Sequence, residues 1–156
     1  MKKIAINGFG RIGRLAFREM ITSKDLDVVA INDLATAEEL AYLLKYDTNH
    51  RSFHEEQIGF ENDFLVIAGV KRIKVYSEKD PINLPWKKLQ IDAVLECSGH
   101  FTKYDDAYKH IEAGAKKVVI SAPGKGDMKT IVYNVNHEIL DGSEQIISAA
   151  SCTTNC

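Results

Sequence analysis

The chain has 156 residues, of which 45% are hydrophobic, 27% charged and only three proline, a profile that excludes disorder and fits one globular domain able to bury most of its apolar surface. Its formal net charge is −2 at pH 7, with 20 Lys and Arg scattered among 22 Asp and Glu, so no basic face is offered to a nucleic acid. The opening MKKIAINGFG is too poor in apolar residues for a signal peptide, and no later run approaches a membrane span, which predicts a cytoplasmic protein without a membrane partner.

In chain order, Lys3 to Asn7 (KIAIN) reads as a strand and Arg11 to about Thr22 as a helix with Ile12, Leu15, Ala16 and Met20 on one face. Asp27 to Ile31 (DVVAI) is a second strand, which completes one βαβ unit. Ala37 to Leu44 is a second helix, followed by a polar stretch, KYDTNHRSFHEEQ, too irregular for either element. Phe64 to Ile67 and Ile73 to Tyr76 predict a strand pair turning around Gly69, a small antiparallel excursion. Pro81 and Pro85 then break the chain into a loop. Alternation resumes with a strand at Ala93 to Cys97, a helix from about Lys103 to Ala113 ended by Gly114, and a strand at Lys117 to Ser121. Thr130 to Tyr133 and Gln145 to Ser148 are two further strand candidates. Strands separated by helices predict an α/β fold of the Rossmann type, a doubly wound, mostly parallel sheet covered on both faces.

The chemistry begins at Asn7-Gly8-Phe9-Gly10-Arg11-Ile12-Gly13, a GxGxxG run lying between the first strand and the first helix. Gly8 allows the tight turn, Gly10 lets the backbone approach a pyrophosphate, and Gly13 lets helix and strand pack closely. The anion would sit on free N–H groups at the helix start, where the dipole favours negative charge. Asp33 lies about twenty residues further on, at a strand end where a carboxylate accepts hydrogen bonds from the adenosine ribose. A 2′-phosphate would face that carboxylate, so the pattern predicts NAD rather than NADP. Asn7, Asp33, Ser98-Gly99, Ser121 and Ser151-Cys152 all fall at the carboxyl ends of expected strands, the edge where open parallel sheets bind ligands.

Cys97, Cys152 and Cys156 are the three cysteines. They form no CxxC pair and have no histidine at zinc spacing, so neither a disulfide frame nor a metal site is indicated. A helix starting after Cys152 would favour the thiolate, the nucleophile of covalent catalysis. A small buried hydrophobe is the other reading, and spacing alone leaves both open. For Cys156 the buried reading is preferred, and His100 is expected in a partly exposed loop without a catalytic task.

Taken together, NGFGRIGR, IND, LLKYD, KDPINLPW, GAKKVVISAP and ASCTTNC resemble the phosphorylating glyceraldehyde-3-phosphate dehydrogenases, in unchanged order along the whole chain. The resemblance implies a glycolytic oxidoreductase in which a cysteine attacks an aldehyde, a hydride passes to NAD, and phosphate cleaves the thioester to an acyl phosphate. Carried over by position, it makes Cys152 the nucleophile and puts Ser151 and Thr153 near a substrate phosphate. It assigns Asn7, Gly8, Gly10, Arg11, Ile12, Gly13, Asp33, Lys79, Ser98, Gly99 and Ser121 to the cofactor. Lys79 stands where arginine is more frequent, Ser98 where threonine is, and Ala149 where asparagine is. Asn134 replaces a frequent glycine, and Arg51-Ser52 a frequent Gly-Arg.

The resemblance further implies that residues 1–150 are the cofactor domain and that 151–156 begin the active-site helix of a catalytic domain. That second domain would supply the base and most substrate groups for glyceraldehyde 3-phosphate and inorganic phosphate, within a homotetramer. This chain alone is therefore expected to turn over negligibly. A stand-alone NAD or redox module and an erythrose 4-phosphate dehydrogenase are the alternative readings.

Overall fold

The computed structural model describes residues 1–69 and 71–156. Val70, inside the expected turn around Gly69, lies outside the described residues.

Strand β1 (Lys2–Asn7) leads through Gly8 to Gly10 into helix α1 (Arg11–Met20), and β2 (Leu26–Asn32) returns parallel to β1. Helix α2 (Ala37–Lys45) follows with a reciprocal cap, in which Thr36 and Glu39 satisfy one another's backbone N–H groups. Next come β3 (Ile58–Glu61), β4 (Phe64–Ile67) and β5 (Lys71–Tyr76), then the single-turn helix α3 (Trp86–Leu89) and β6 (Ala93–Glu96). Helix α4 (Tyr104–Glu112), β7 (Lys117–Ile120), β8 (Lys129–Thr130), β9 (Ile146–Ser148) and the single turn α5 (Cys152–Asn155) complete the order.

The described residues build a nine-stranded sheet in the order β3-β4-β5-β2-β1-β6-β7-β9-β8. Every pairing from β5 to β8 is parallel, and only β3-β4 and β4-β5 are antiparallel. The central six strands therefore follow the doubly wound order, with the chain reversing direction of growth between β1 and β6. Ile4 and Ile6 point to one face, where they pack with Phe17 of α1 and Leu40 and Leu44 of α2. Ala5 points to the other, joining Trp86, Val94, Ala107 and Val118 under α3 and α4. Ile4 pairs with Val28 but Ala5 pairs with Ala30. Val29 is thus one extra residue, a bulge that resets which β2 side chains face each core.

Four details differ from the sequence reading. The antiparallel part has three strands, because Ile58–Glu61 pairs with β4 from Ile58↔Ile67 to Glu61↔Phe64. The strand expected at Thr130 to Tyr133 is instead Lys129–Thr130. Its extension is blocked by Asn136, whose side chain takes the Val132 N–H at 2.7 Å and the Thr130 carbonyl at 2.9 Å that a ladder would need. Helix α1 ends at Met20 rather than Thr22, whose hydroxyl bonds the Glu19 carbonyl. The proline segment contains a 3₁₀ turn, Pro81–Asn83, and α3, rather than loop alone. Arg51 (φ 64°) and Asn134 (φ 63°) are both left-handed, a conformation that suits the glycine more frequent there in the family they resemble.

Candidate functional site

A groove of about 360 Å³ opens at the carboxyl ends of β1, β2 and β6, where the winding of the sheet reverses. Of the residues singled out in the sequence, Asn7, Gly8, Gly10, Asp33, Lys79 and Ser98 line it. Asn32, Leu34, Glu78, Cys97, His100 and Phe101 complete the wall. The sequence reading assigned none of these six to the site, and His100 stands there exposed, as a loop residue.

The three glycines differ in what surrounds them. Gly8 has φ +88°, and a Cβ there would lie 2.5 Å from the Ser98 nitrogen and 2.6 Å from its Cα. At Gly13 a Cβ would lie 2.2 Å from the Gly8 carbonyl oxygen, so this glycine is what allows α1 to rest against the turn. Gly10 has an ordinary φ of −71°, and a Cβ would meet nothing within 4 Å. Gly10 lines the groove, and no protein atom stands where its side chain would be.

Helix α1 begins at this point without a side-chain cap and without an acidic residue in its first turn. By contrast, α2 carries its reciprocal cap and α4 has Asp105 and Asp106 in its first turn. The first N–H groups of α1, from Arg11, Ile12 and Gly13, are thus left at a positive helix end, which suits an external anion such as a pyrophosphate. Asp33 borders the same space. One of its oxygens accepts the Phe9 N–H at 2.7 Å and the other the Ala35 N–H at 2.9 Å, so the carboxylate holds the glycine turn and each oxygen keeps further acceptor capacity.

Arg11, Ile12 and Gly13, in the first turn of α1, are not among the residues lining the groove, and the remaining singled-out residues follow neighbouring strands. Gly99 (φ +76°) follows Ser98 beyond β6. Ser121 follows β7, its N–H on the Glu96 carbonyl at 3.0 Å. Ser151 and Cys152 follow β9; Ser151 caps α5 by accepting the Thr154 N–H at 3.0 Å, and its hydroxyl also meets those of Thr153 and Thr154. Cys152 is exposed, and so is Cys156, which corrects the expectation that Cys156 is a buried hydrophobe.

Burial perturbs the Cys97 thiol. Desolvation pushes it up to about 11, the neighbouring Glu96 charge adds to this, and the Ser121 hydrogen bond opposes it. A raised value means that the folded state holds the proton more tightly, so this group favours folding below its ordinary value and that contribution disappears as pH climbs to about 11. Iodoacetamide at neutral pH is expected to modify Cys152 and Cys156 and spare Cys97. Mass mapping of the alkylated peptides checks this; prompt labelling of Cys97 in the folded chain would contradict it.

A parallel sheet that reverses its winding at a glycine turn, with a carboxylate on the adjacent strand end and an uncapped helix between them, defines a dinucleotide-binding domain. Residues 2–104 match the family model described as glyceraldehyde 3-phosphate dehydrogenase, NAD binding domain, and the chain belongs to that family. NAD is accordingly its dinucleotide. It is 58% identical over 156 residues to the glyceraldehyde-3-phosphate dehydrogenases of Clostridium pasteurianum and Clostridium acetobutylicum, covering 100% of this chain and 46% of each relative. It is 50% identical over 155 residues to that of Mycoplasma pneumoniae, covering 99% of this chain and 45% of the relative. The chain thus spans about half the length of the curated relatives it matches.

Proposed function

We propose that this chain is the NAD-holding half of a phosphorylating glyceraldehyde-3-phosphate dehydrogenase, with residues 1–150 as the cofactor domain and 151–156 entering the catalytic part. Asn7, Gly8, Gly10, Gly13, Arg11 and Ile12 would hold the pyrophosphate side, Asp33 and Lys79 the adenosine side, and Ser98, Gly99 and Ser121 the nicotinamide side. Bound NAD supplies the hydride acceptor. Cys152 would attack the aldehyde of glyceraldehyde 3-phosphate, with Ser151 and Thr153 turning their hydroxyls from each other toward the substrate phosphate. Inorganic phosphate would release the acyl group. The proton acceptor for the cysteine and most phosphate-binding groups would come from the remaining length that the curated relatives have, in a cytoplasmic homotetramer.

The observation that carries this reading is the shared rim. The Ser151-Cys152 junction follows the carboxyl end of β9, two strands along from β6, on the sheet edge that also carries the groove. A thiol and a dinucleotide on one edge is what hydride transfer from a cysteine-bound substrate requires.

The test is Cys152→Ser in the dehydrogenase that contains this chain, assayed with glyceraldehyde 3-phosphate, NAD and phosphate. Turnover is expected to fall by roughly 10³-fold or more, as for loss of a nucleophile. NAD affinity is expected to stay within about twofold, because Cys152 stands outside the groove's lining. Undiminished turnover in the variant would remove Cys152 from the role.

A further inference from the structure

Beneath the groove runs a chain of buried polar groups, of which only Asn7 and Ser98 have a place in the proposed reaction. The Trp86 indole N–H donates to His110 Nδ1 at 3.0 Å, and His110 Nε2 meets Glu96 Oε2 at 2.8 Å. From the other side, Asn7 Nδ2 donates to the same Oε2 at 2.6 Å. Asn32 Nδ2 donates to Asn7 Oδ1 at 2.7 Å, and the Glu78 backbone N–H donates to Asn32 Oδ1 at 2.8 Å. Glu96 Oε1 accepts both the N–H and the hydroxyl of Ser98. Trp86, His110, Glu96, Asn7 and Asn32 are all buried, at 0%, 0%, 1%, 2% and 4% exposure.

The direction of these bonds is forced from both ends. An indole N–H and a backbone N–H can only donate. His110 must therefore accept at Nδ1 and donate from Nε2, while Asn32 must accept at Oδ1 and donate to Asn7, which donates onward in turn. Both arms arrive at one oxygen as donors, and the Ser98 N–H arrives at the other, while the Ser98 hydroxyl can turn either way. Only a group that accepts on both oxygens satisfies these three N–H donors, and the Glu96 side chain is that group. A glutamine there would set its NH₂ against donors, and no flip of Asn7, Asn32 or His110 relieves this without unpairing an end.

Four residues touched by this chain, Asn7, Asn32, Glu78 and Ser98, line the groove. They come from four strand ends: Asn7 and Asn32 are the last residues of β1 and β2, and Glu78 and Ser98 follow β5 and β6. We infer that Glu96 is the positioning residue of the NAD groove, the acceptor on which the hydrogen bonds from these four strand ends converge; this rests on the NAD-binding reading of the groove. Glu96 itself is not among the residues that line the groove.

The test compares NAD dissociation constants, by titration calorimetry, and urea midpoints for the wild-type chain, Glu96→Gln and the core variant Val118→Ala. Val118 is buried in the core that holds Trp86 but outside the polar chain. Glu96→Gln is expected to weaken NAD binding at least about tenfold, the scale of one buried polar mismatch, whereas Val118→Ala loses stability with affinity within about twofold. Unchanged affinity in Glu96→Gln, or an equal loss in Val118→Ala, overturns the inference. Absence of NAD binding by the wild-type chain would instead strike the underlying reading. A measurement that needs no variant is the ¹⁵N spectrum of His110 at neutral pH. The Nε2–H tautomer is expected, and the Nδ1–H tautomer would overturn the convergence on Glu96.

Discussion

Replacing Gly8 with alanine is expected to lower the stability of the folded chain by about 3 kcal/mol, the sum of a left-handed residue acquiring a Cβ and of overpacking against a neighbour that cannot yield. The neighbour is backbone: the added carbon would sit 2.5, 2.6 and 2.8 Å from Ser98 N, Ser98 Cα and the Cys97 carbonyl carbon. Moving them means moving the end of β6, where Glu96 collects its hydrogen bonds, so the damage spreads from the turn into the sheet. Urea unfolding checks this, and a midpoint within error of the wild type would show that the turn is looser than described. Gly13→Ala is sterically of the same kind, with its contact on the Gly8 carbonyl.

Gly10→Ala is expected to do the opposite. With φ at −71° and nothing within 4 Å of the new carbon, stability should change by no more than about 0.5 kcal/mol, as at other unencumbered surface sites. NAD affinity, however, should fall at least about tenfold, because the methyl group stands where the backbone must approach the pyrophosphate. Among three glycines of one motif, two would then act through the fold and one through the ligand. Measuring NAD binding and urea unfolding on the same variant separates these effects; retained affinity at wild-type stability would place the pyrophosphate elsewhere.

Much of this site was legible before the fold, for identifiable reasons. The glycine spacing, the βαβ period and Asp33 are local patterns, each contained within a stretch that folds against itself or its neighbour. The strand ends could be placed on one rim because parallel strands joined by helices must all run the same way. Ile58–Glu61 escaped notice because four residues with a glycine carry no periodicity, and only the pairing with β4 makes them a strand. Thr130 to Tyr133 reads as β-branched and aromatic, yet Asn136 takes the groups a longer strand would need.

The polar chain was invisible for a different reason. Asn7 and Glu96 are 89 residues apart, and Trp86 and His110 are 24 apart, so no window holds both partners. One signal did exist. Glu96 is an acid inside the apolar run AVLEC, and a charge in a strand expected to be buried on both faces calls for partners. Leu34, Glu78 and Phe101 carry no such mark, since an ordinary loop residue becomes a wall only when the topology brings it to the groove.

Titration calorimetry of the chain with NAD and with NADP tests the dinucleotide groove most directly. Saturable binding of NAD with a dissociation constant below about 1 mM, and NADP at least about tenfold weaker because its extra phosphate meets the Asp33 carboxylate, is the expected result. No binding of NAD at millimolar concentration, or equal affinity for the two dinucleotides, would contradict the roles given to the glycine turn and to Asp33.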